Sequence, residues 1–362
     1  MIVASTQQSV PTARLAMKTT AAILIETGKP LELAELEIPP MRPGQVLVEI
    51  AHSGVCHTQL LEAQGHRGPD PFLPHCLGHE ASGIVLEIGA DVTRCKAGDR
   101  VILSWMKARG RDVPGTKYLW KNRVVNAGGV TTFQRHAVVS ENRLTPAPVE
   151  LDSRGAALLG CAFATGFGAA VHTAGVQRGE TVAVLGAGGV GLCAVAGAVN
   201  AGAVVIIAID VRADRLEAAR VLGATHVVNA AEGDVLAQVK AIIPGGVDAA
   251  IEATGRPEVM RQALAMVRPR GGRAVVVGNA RFGESLEIDP RELNQGKRLL
   301  GSWGGDNEPD VDFPAYAQLL ASGQINLAPL HSPPYRLEDA NQALQDLESG
   351  RIIRPLIDMR LA

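Results

Sequence analysis

The hexapeptide Gly186-Ala187-Gly188-Gly189-Val190-Gly191 constrains the fold of this chain more than any other feature. It follows the apolar run Thr181–Leu185, which predicts a strand, and it opens a run of small residues that predicts a helix over Gly189–Ala201. In that context the pattern G-x-G-x-x-G permits a tight turn, lets the backbone approach a pyrophosphate, and lets helix and strand pack closely. The phosphates would lie at a helix N-terminus, where unpaired N–H groups favour negative charge. The motif therefore predicts a dinucleotide-binding domain.

An acidic residue in the expected place indicates which dinucleotide is bound. Asp210 ends the next predicted strand, nineteen residues after Gly191. A carboxylate there can hold both hydroxyls of the adenosine ribose and repels the 2′-phosphate of NADP. Arg212 and Arg215 weaken the preference for NAD over NADP, because a guanidinium could bind the 2′-phosphate. NAD is the predicted cofactor; the alternative is a structural glycine turn followed by a helix-capping Asp.

The pattern of strands predicts two domains in the 362 residues. From Thr181 onwards apolar strands alternate with helical segments, which is typical of a doubly wound parallel sheet covered on both faces. Before Val149 the chain instead shows short β-rich runs separated by Gly and Pro, which indicates a mainly antiparallel β domain. The predicted fold class is α/β.

Composition excludes several classes of function. The formal net charge of −2 gives no hint of a nucleic-acid partner, and no apolar run reaches the roughly 20 uninterrupted residues of a membrane helix. The five cysteines are scattered and form no C-x-x-C, so a reducing, cytoplasmic environment is expected. Residues 1–17 read as a frayed N-terminal tail, with an organelle-transit segment as the less favoured alternative. Aromatic residues make up only 3%, which suggests room for a substrate larger than ethanol.

Three short segments carry potential metal ligands: Gly54–Thr58, Gly78-His79-Glu80 and Gly160-Cys161. A catalytic zinc site uses three protein ligands, commonly Cys and His, and keeps one position open. Two Cys and one His meet that need, although spacing alone leaves their convergence open. Taken singly, each is better explained by the packing of a buried Cys or by a hydrogen-bonded core His.

These segments, in this order along the chain, resemble the zinc-dependent alcohol dehydrogenases of the medium-chain dehydrogenase/reductase superfamily. The similarity extends from Ala21 to Met359 and includes Gly-His-Glu followed by Gly83-Ile84-Val85, the glycine fingerprint, and Gly350–Arg354. It implies a GroES-like, mainly-β catalytic domain over residues 18–163 and 306–362. It also implies a Rossmann NAD-binding domain over residues 164–305, with the last segment returning to the first domain.

The resemblance implies a role for each matching residue. Cys56, His79 and Cys161 would ligate one catalytic zinc, with Glu80 as an adjacent acid that can approach the metal. Thr58 would hydrogen-bond the substrate hydroxyl and pass on its proton, His57 would face the pyrophosphate, and Phe163 would line the substrate pocket. The cofactor would be held by Gly186, Gly188, Gly189, Val190, Gly191, Asp210, Arg215 and Arg354. The reaction implied is reversible hydride transfer between NAD and a small alcohol, aldehyde or ketone, in a homodimer or homotetramer.

The chain departs from the family pattern in three places. Many relatives hold a structural zinc with four closely spaced cysteines, but the corresponding stretch, Leu103–Val130, has none, so no structural zinc is expected. That stretch is basic and reads as a solvated surface loop, the alternative being a lobe that shapes a subunit interface or attracts an acidic substrate. Gln59 replaces an Asp near the zinc-bound His; it could orient the imidazole without adding charge. Leu61 replaces the His that ends the proton relay in some relatives.

Two other functions compete with this interpretation. One is a zinc-free NADPH quinone or enone reductase of the same superfamily, which would lack the Cys and His ligands that this chain retains. The other is a non-catalytic dinucleotide-binding protein, for which a zinc site would serve no purpose. A soluble zinc- and NAD-dependent alcohol dehydrogenase is therefore the function that the sequence predicts.

Overall fold

The computed structural model of the protein describes residues 17–361. Of the predicted N-terminal tail, residues 1–16 lie outside the described part of the chain. Within it, the two predicted architectures are both present: an antiparallel β region and a parallel sheet with helices.

The antiparallel region consists of a small barrel and a larger sheet. The barrel strands, in spatial order, are Lys18–Leu24, Glu32–Glu37, Lys117–Trp120, Arg123–Asn126 and His75–Cys76. The larger sheet has Leu144–Pro146, Arg100–Ser104, Glu80–Ile88, Gln45–Gly54 and Leu356–Asp358 in order, with His136–Ser140 also paired to Gln45–Gly54. The C-terminal strand therefore returns to the first domain, because Leu356 pairs with Gly54 and Asp358 with His52.

The nucleotide-binding region is a six-stranded sheet in which every neighbouring pair is parallel. Its strands, in spatial order, are His226–Asn229, Val205–Asp210, Thr181–Leu185, Ala249–Glu252, Arg273–Val276 and Arg298–Gly301. The strand order reverses at Thr181–Leu185, the strand that leads into the glycine turn. In a doubly wound sheet, ligands bind at such a reversal, beyond the carboxyl ends of the strands.

Helices cover both faces of this sheet and connect the domains. The α-helices within residues 17–361 are His57–Ala63, Ser153–Leu158, Ala164–Gly168, Gly189–Asn200, Ala213–Val221, Val235–Ile242, Pro257–Met266, Pro290–Asn294, Pro309–Ala321 and Ala340–Glu348. Short 3₁₀ turns occupy Glu141–Arg143, Gly304–Asp306, Ala328–Leu330 and Leu337–Asp339. The helix Ala213–Val221 follows the strand that ends at Asp210, and its N-cap is Arg212 with an extended backbone.

One helical segment, Ser153–Thr173, runs across the domain boundary predicted between residues 163 and 164. It contains two π-helical turns, Leu159–Phe163 and Ala169–Thr173, and the first of these holds Cys161. Against the sequence-based expectation, this 21-residue segment is long and apolar enough to cross a membrane, with a mean hydropathy of 1.4. Packing explains the apolar composition of this segment, since 89% of its most apolar stretch is buried inside the protein.

The basic stretch Leu103–Val130 is more ordered than the predicted surface loop. It contains a β-hairpin, Lys117–Trp120 with Arg123–Asn126, whose turn places Lys121 and Asn122 at positive φ. Tyr118 and Val125 point into the barrel and are fully buried. The expectation of a solvated loop is therefore wrong for this hairpin, because two apolar side chains within the charged stretch anchor it to the barrel core.

Close packing of two helices gives a test of the fold. A Cβ added at Gly166 would lie 2.0 Å from the carbonyl oxygen of Val190 and 2.7 Å from Cβ of Cys193. Gly166→Ala should therefore lower the free energy of unfolding by about 1–3 kcal/mol, because the helix Gly189–Asn200 must move away. Gly301→Ala is the control, since a Cβ there meets nothing within 4 Å. Urea denaturation of both variants checks this, and equal midpoints would contradict the packing described.

Candidate functional site

Cys56, His79 and Cys161 come together in the structure although more than 100 residues separate the first from the last. One potential ligand atom from each lies within 4.8 Å of the other two. Both sulfurs are buried, and Nε2 of His79 is buried without a hydrogen-bond partner among residues 17–361. Two cysteine sulfurs and an imidazole nitrogen are a donor set that suits zinc. The residues present therefore fit a zinc ion with three protein ligands.

Three different elements position these ligands. Cys56 is the N-cap of the helix His57–Ala63, and its extended backbone separates the strand Gln45–Gly54 from that helix. His79 directly precedes the strand Glu80–Ile88. Cys161 lies in the first π-helical turn, a feature that is frequent at functional sites. Regular elements therefore hold the site from three sides.

Gln59 fixes the relation between two of the ligands. Its side-chain oxygen accepts a hydrogen bond from the backbone N–H of Cys56 at 2.8 Å, and the other end of the same amide contacts Nδ1 of His79. The contact holds the imidazole by its Nδ1 edge, so Nε2 faces away from Gln59. A group that orients a metal-binding His from behind tunes both its direction and its basicity. The structure thus places Gln59 against His79, in the arrangement that the sequence allowed.

The two cysteines differ in their acidity in the metal-free chain. A hydrogen bond from the Cys161 thiol lowers the pKa of Cys56 well below its usual value. The same hydrogen bond, together with burial, raises the pKa of Cys161. The two sulfurs thus share a hydrogen bond, and both cysteines would lose their protons on binding a metal ion.

A buried ion pair lies next to the ligands. Glu80 is 0% exposed and Arg354 is 3% exposed, and their side chains form a short ion pair. The second carboxylate oxygen of Glu80 accepts the backbone N–H of Ala162, beside Cys161. Burial raises the pKa of Glu80, and the charge of Arg354 opposes that shift. Position 54, next to the Glu80 carboxylate, favours glycine because a Cβ there would lie 2.2 Å from Oε1 of Glu80.

Thr58 and His57 begin the helix that follows Cys56. The hydroxyl of Thr58 lies 3.7 Å from the sulfur of Cys56, so it borders the ligand cluster. His57 is the first residue of the helix and is exposed. Both residues are near the cluster in the chain, and the roles that the resemblance implied for them remain predictions.

The glycine turn has the geometry that a dinucleotide needs. Gly186 adopts a φ of +92°, which favours glycine, and Gly188 is the N-cap of the helix that begins at Gly189. A Cβ at Gly191 would lie 1.7 Å from the carbonyl oxygen of Gly186, so close packing requires glycine there as well. A Cβ at Gly188 would meet nothing within 4 Å, so its backbone borders open space. Val190 continues the same first turn of the helix.

Asp210 and Arg215 lie at the far side of this turn. Asp210 accepts the backbone N–H of Ala187 at 2.7 Å and that of Arg212 at 3.0 Å. Arg215 lies 4.0 Å from the Asp210 carboxylate, and its buried Nε has no hydrogen-bond partner in the described chain. Asp210 therefore joins the end of its strand to the glycine turn, where a ribose would lie.

Arg354 connects the cysteine–histidine cluster with the glycine turn. Its side chain pairs with Glu80 at one end, and its Cδ lies 3.3 Å from where a Cβ of Gly189 would be. Its buried Nε has no hydrogen-bond partner among residues 17–361. One side chain thus reaches from the metal ligands to the start of the dinucleotide-binding helix.

Phe163 does not line an open cavity in this structure. Its ring is 0% exposed and packs against Phe167 and Tyr316, with ring centroids at 5.1 and 5.5 Å. Its backbone nevertheless belongs to the turn that carries Cys161. The assignment of Phe163 to the substrate pocket remains a prediction.

A cavity beside His79 was not anticipated from the sequence. It has a volume of about 550 Å³, and Gln59 and His79 form part of its wall. Glu62, on the same helix as Gln59, and Arg67, beyond the end of that helix at Ala63, also line it. No pattern in the sequence marks these two residues, because the loop and the hairpin that enclose the cavity with them are distant in the chain.

Family models match both regions. The alcohol dehydrogenase GroES-like domain matches residues 42–149, and the zinc-binding dehydrogenase domain matches residues 189–322. The two matches correspond to the antiparallel region and to the parallel sheet described above.

Individual proteins are similar over nearly the whole chain. S-(hydroxymethyl)glutathione dehydrogenase of Synechocystis sp. is 35% identical, over 94% of this chain and 100% of that protein. The crystal structure of benzyl alcohol dehydrogenase from Acinetobacter calcoaceticus has a TM-score of 0.87 at 30% identity, over 94% and 99% of the two chains. A zinc-binding dehydrogenase from Sinorhizobium meliloti 1021, bound to NADP, has a TM-score of 0.78 at 27% identity, over 94% and 99%.

Both domains thus match family models of dehydrogenases, and the chain is similar to such proteins along nearly its whole length. The chain belongs to the zinc-dependent alcohol dehydrogenase family of the medium-chain dehydrogenase/reductase superfamily.

Proposed function

We propose that the protein is an NAD-dependent alcohol dehydrogenase that uses one catalytic zinc per chain. It transfers hydride reversibly between NAD and a primary or secondary alcohol, with an aldehyde or ketone as the product. The observation that carries this proposal is the convergence of Cys56, His79 and Cys161 within 4.8 Å, next to the Glu80–Arg354 pair that reaches the dinucleotide turn.

The division of labour at the site follows from the residues present. A zinc ion bound by the two cysteines and His79 would supply the Lewis acidity that makes an alcohol hydroxyl more acidic and polarises a carbonyl. Gln59 holds His79 in the orientation that directs Nε2 toward the two sulfurs. The nucleotide-binding domain aligns the reactive carbon of the nicotinamide and excludes water. The chain thus provides positioning, and the cofactors provide the acid and the hydride acceptor.

Thr58 is the proposed first carrier of the substrate proton. Its hydroxyl borders the ligand cluster, and a hydroxyl can accept one proton while donating another. Leu61 has no proton-transfer chemistry, so the proton leaves Thr58 toward His57, the cofactor or water. Glu80 forms an ion pair with Arg354, so the negative charge that it places beside the cluster is compensated by a positive one.

NAD is favoured over NADP by Asp210. Its carboxylate ends the second strand beside the glycine turn, where it would receive the ribose hydroxyls and repel a 2′-phosphate. The relative from S. meliloti was crystallised with NADP, so both cofactors occur among similar proteins. The charge of Asp210 decides between them in this chain.

Three ligands favour this function over a zinc-free reductase of the superfamily, which would have no use for them. We further propose a single zinc per chain, without a structural zinc, because the stretch Leu103–Val130 has no cysteine and forms a hairpin instead. The expected setting is the cytoplasm, in a homodimer or homotetramer that acts on small molecules without a nucleic-acid or membrane partner.

Zinc content tests the metal site directly. Elemental analysis of the purified protein should give one zinc per chain, and Cys161→Ser should lose it because one of three ligands is removed. Cys95→Ser is the control, since Cys95 lies outside the cluster. Wild-type protein that stays zinc-free when zinc is supplied would contradict the mechanism, and two zinc ions per chain would contradict the single site.

The role of Thr58 predicts a specific kinetic defect. Thr58→Val should reduce kcat for alcohol oxidation by about 100-fold or more, the usual contribution of a positioned proton carrier, with the zinc content unchanged. Thr58→Ser keeps the hydroxyl and should restore most of the rate. Steady-state kinetics of the two variants at equal zinc loading distinguishes loss of the hydroxyl from loss of packing. Equal rates for Val and Ser would exclude the proposed proton transfer.

Cofactor choice can be tested at Asp210. Asp210→Gly should weaken NAD binding by about tenfold or more and should affect NADP binding less, because only NAD loses hydrogen bonds to a charged group. Asp214→Asn is a matched control that removes a nearby charge paired with Arg212. Titration of both nucleotides by fluorescence gives the dissociation constants. An unchanged NAD-to-NADP ratio in Asp210→Gly would rule out the assigned role.

A further inference from the structure

The cavity beside His79 indicates which class of substrate the proposed enzyme binds. Its volume of about 550 Å³ is that of a site for a ligand of ten or more heavy atoms. The loop that contains Gly68 and Phe72 forms one wall, and the base of the β-hairpin, with Ala127 and Gly128, forms another. Gln59 and His79 are also in the wall, so the cavity adjoins one of the three residues of the ligand cluster.

The walls combine short side chains with charged ones. Gly115, Ala127 and Gly128 contribute little side-chain volume, so the cavity stays open opposite the loop 67–72. Besides His79 and the buried Cys76, four ionisable residues line it: Glu62, Arg67, Asp70 and His75. The distribution of their partners determines which of them is available to a ligand.

Asp70 and His75 satisfy each other. Nε2 of His75 lies 2.8 Å from the Asp70 carboxylate, and Nδ1 lies 2.9 Å from the carbonyl oxygen of Cys76. The Asp70 carboxylate and the ring of His75 are therefore already paired with each other. Neither of them is left without a partner in the cavity wall.

Arg67 is the cation on the cavity wall that has no such partner. Within residues 17–361 its guanidinium makes no hydrogen bond and no ion pair within 4.0 Å, and it is exposed. Glu62 likewise has neither, and its carboxylate interacts electrostatically with His79, Arg67 and His75. Glu62 would repel an anionic ligand in the cavity, whereas Arg67 would attract one.

We propose that the cavity selects alcohols and aldehydes whose far end carries an anionic group, a carboxylate or a phosphate, and that Arg67 binds this group. A guanidinium pairs with either anion through two parallel N–H···O bonds, which gives both affinity and orientation. Small wall residues leave room for the connecting chain. This inference rests on the proposed function, since it assigns the substrate of the same site.

Three alcohols of matched length test the proposal with the zinc-loaded enzyme and NAD: 1-hexanol, 6-hydroxyhexanoate and 6-hydroxyhexyl phosphate. The kcat/KM of at least one anionic alcohol should exceed that of 1-hexanol by about tenfold or more, mainly through a lower KM. The better of the two identifies the anion. Arg67→Gln should abolish the advantage of the anionic alcohols over 1-hexanol, and Arg67→Lys should restore part of it.

Arg123→Gln is the control for net charge. Arg123 is an exposed arginine on the hairpin strand Arg123–Asn126 and does not line the cavity, so its loss should leave the preference intact. An equal effect of Arg123→Gln and Arg67→Gln would overturn the inference, because the preference would then reflect the overall charge of the protein.

Binding without turnover separates the two proposals. Calorimetry should show that wild type binds hexanoate or hexyl phosphate more tightly than hexanamide, and that Arg67→Gln does not. Oxidation of 1-hexanol together with equal binding of the anions and the amide would overturn the Arg67 assignment and leave the proposed function standing. Anion binding that depends on Arg67, with no oxidation of any alcohol, would support the assignment and contradict the proposed function.

Discussion

The buried ion pair between Glu80 and Arg354 is the interaction on which the arrangement of the site depends. Neither side chain reaches solvent to any useful extent, so each charge needs the other. Removing one partner of such a pair typically costs about 3–5 kcal/mol because an uncompensated charge stays buried. Glu80 follows a metal ligand, and Arg354 precedes the C-terminal strand and touches the dinucleotide turn. The pair therefore fixes the distance between the two halves of the proposed reaction.

Segment 350–354 contacts both domains along its length. Gly350 adopts a φ of +72°, and a Cβ there would lie 2.9 Å from the guanidinium of Arg215. Arg354, four residues later, packs beside Gly189. Pro355 then accepts the backbone N–H of Val55, one residue before the ligand Cys56. The C-terminal segment thus contacts Arg215, the glycine turn and the residue before Cys56 in succession, so its return to the first domain joins these three parts of the molecule.

The parts that sequence reasoning predicted are those set by local chemistry. The strand Thr181–Leu185 follows from an apolar run, and the helix that begins at Gly189 follows from a run of small residues. The turn between them follows from Gly186, whose positive φ favours glycine. The ligand set followed from the resemblance, and its convergence became visible only in three dimensions. The hairpin in Leu103–Val130 was missed because its charged residues conceal two buried anchors. Arg67 and Glu62 were missed because a cavity wall assembled from separate loops leaves no periodic signal.

These two kinds of information correspond to two kinds of function. Reaction type depends on groups that must meet one geometry. Cys56, His79 and Cys161 are therefore each recognisable from the short motif around them. Substrate choice depends on the shape and charge of a cavity, and many different residues can supply either. In this chain the stretch Leu103–Val130 has no cysteine and forms a hairpin, and Ala127 and Gly128, which follow its second strand, line the cavity beside His79. Because these two residues have little or no side chain, a stretch in which the sequence departs from the family pattern also leaves room for the longer, charged substrate proposed above.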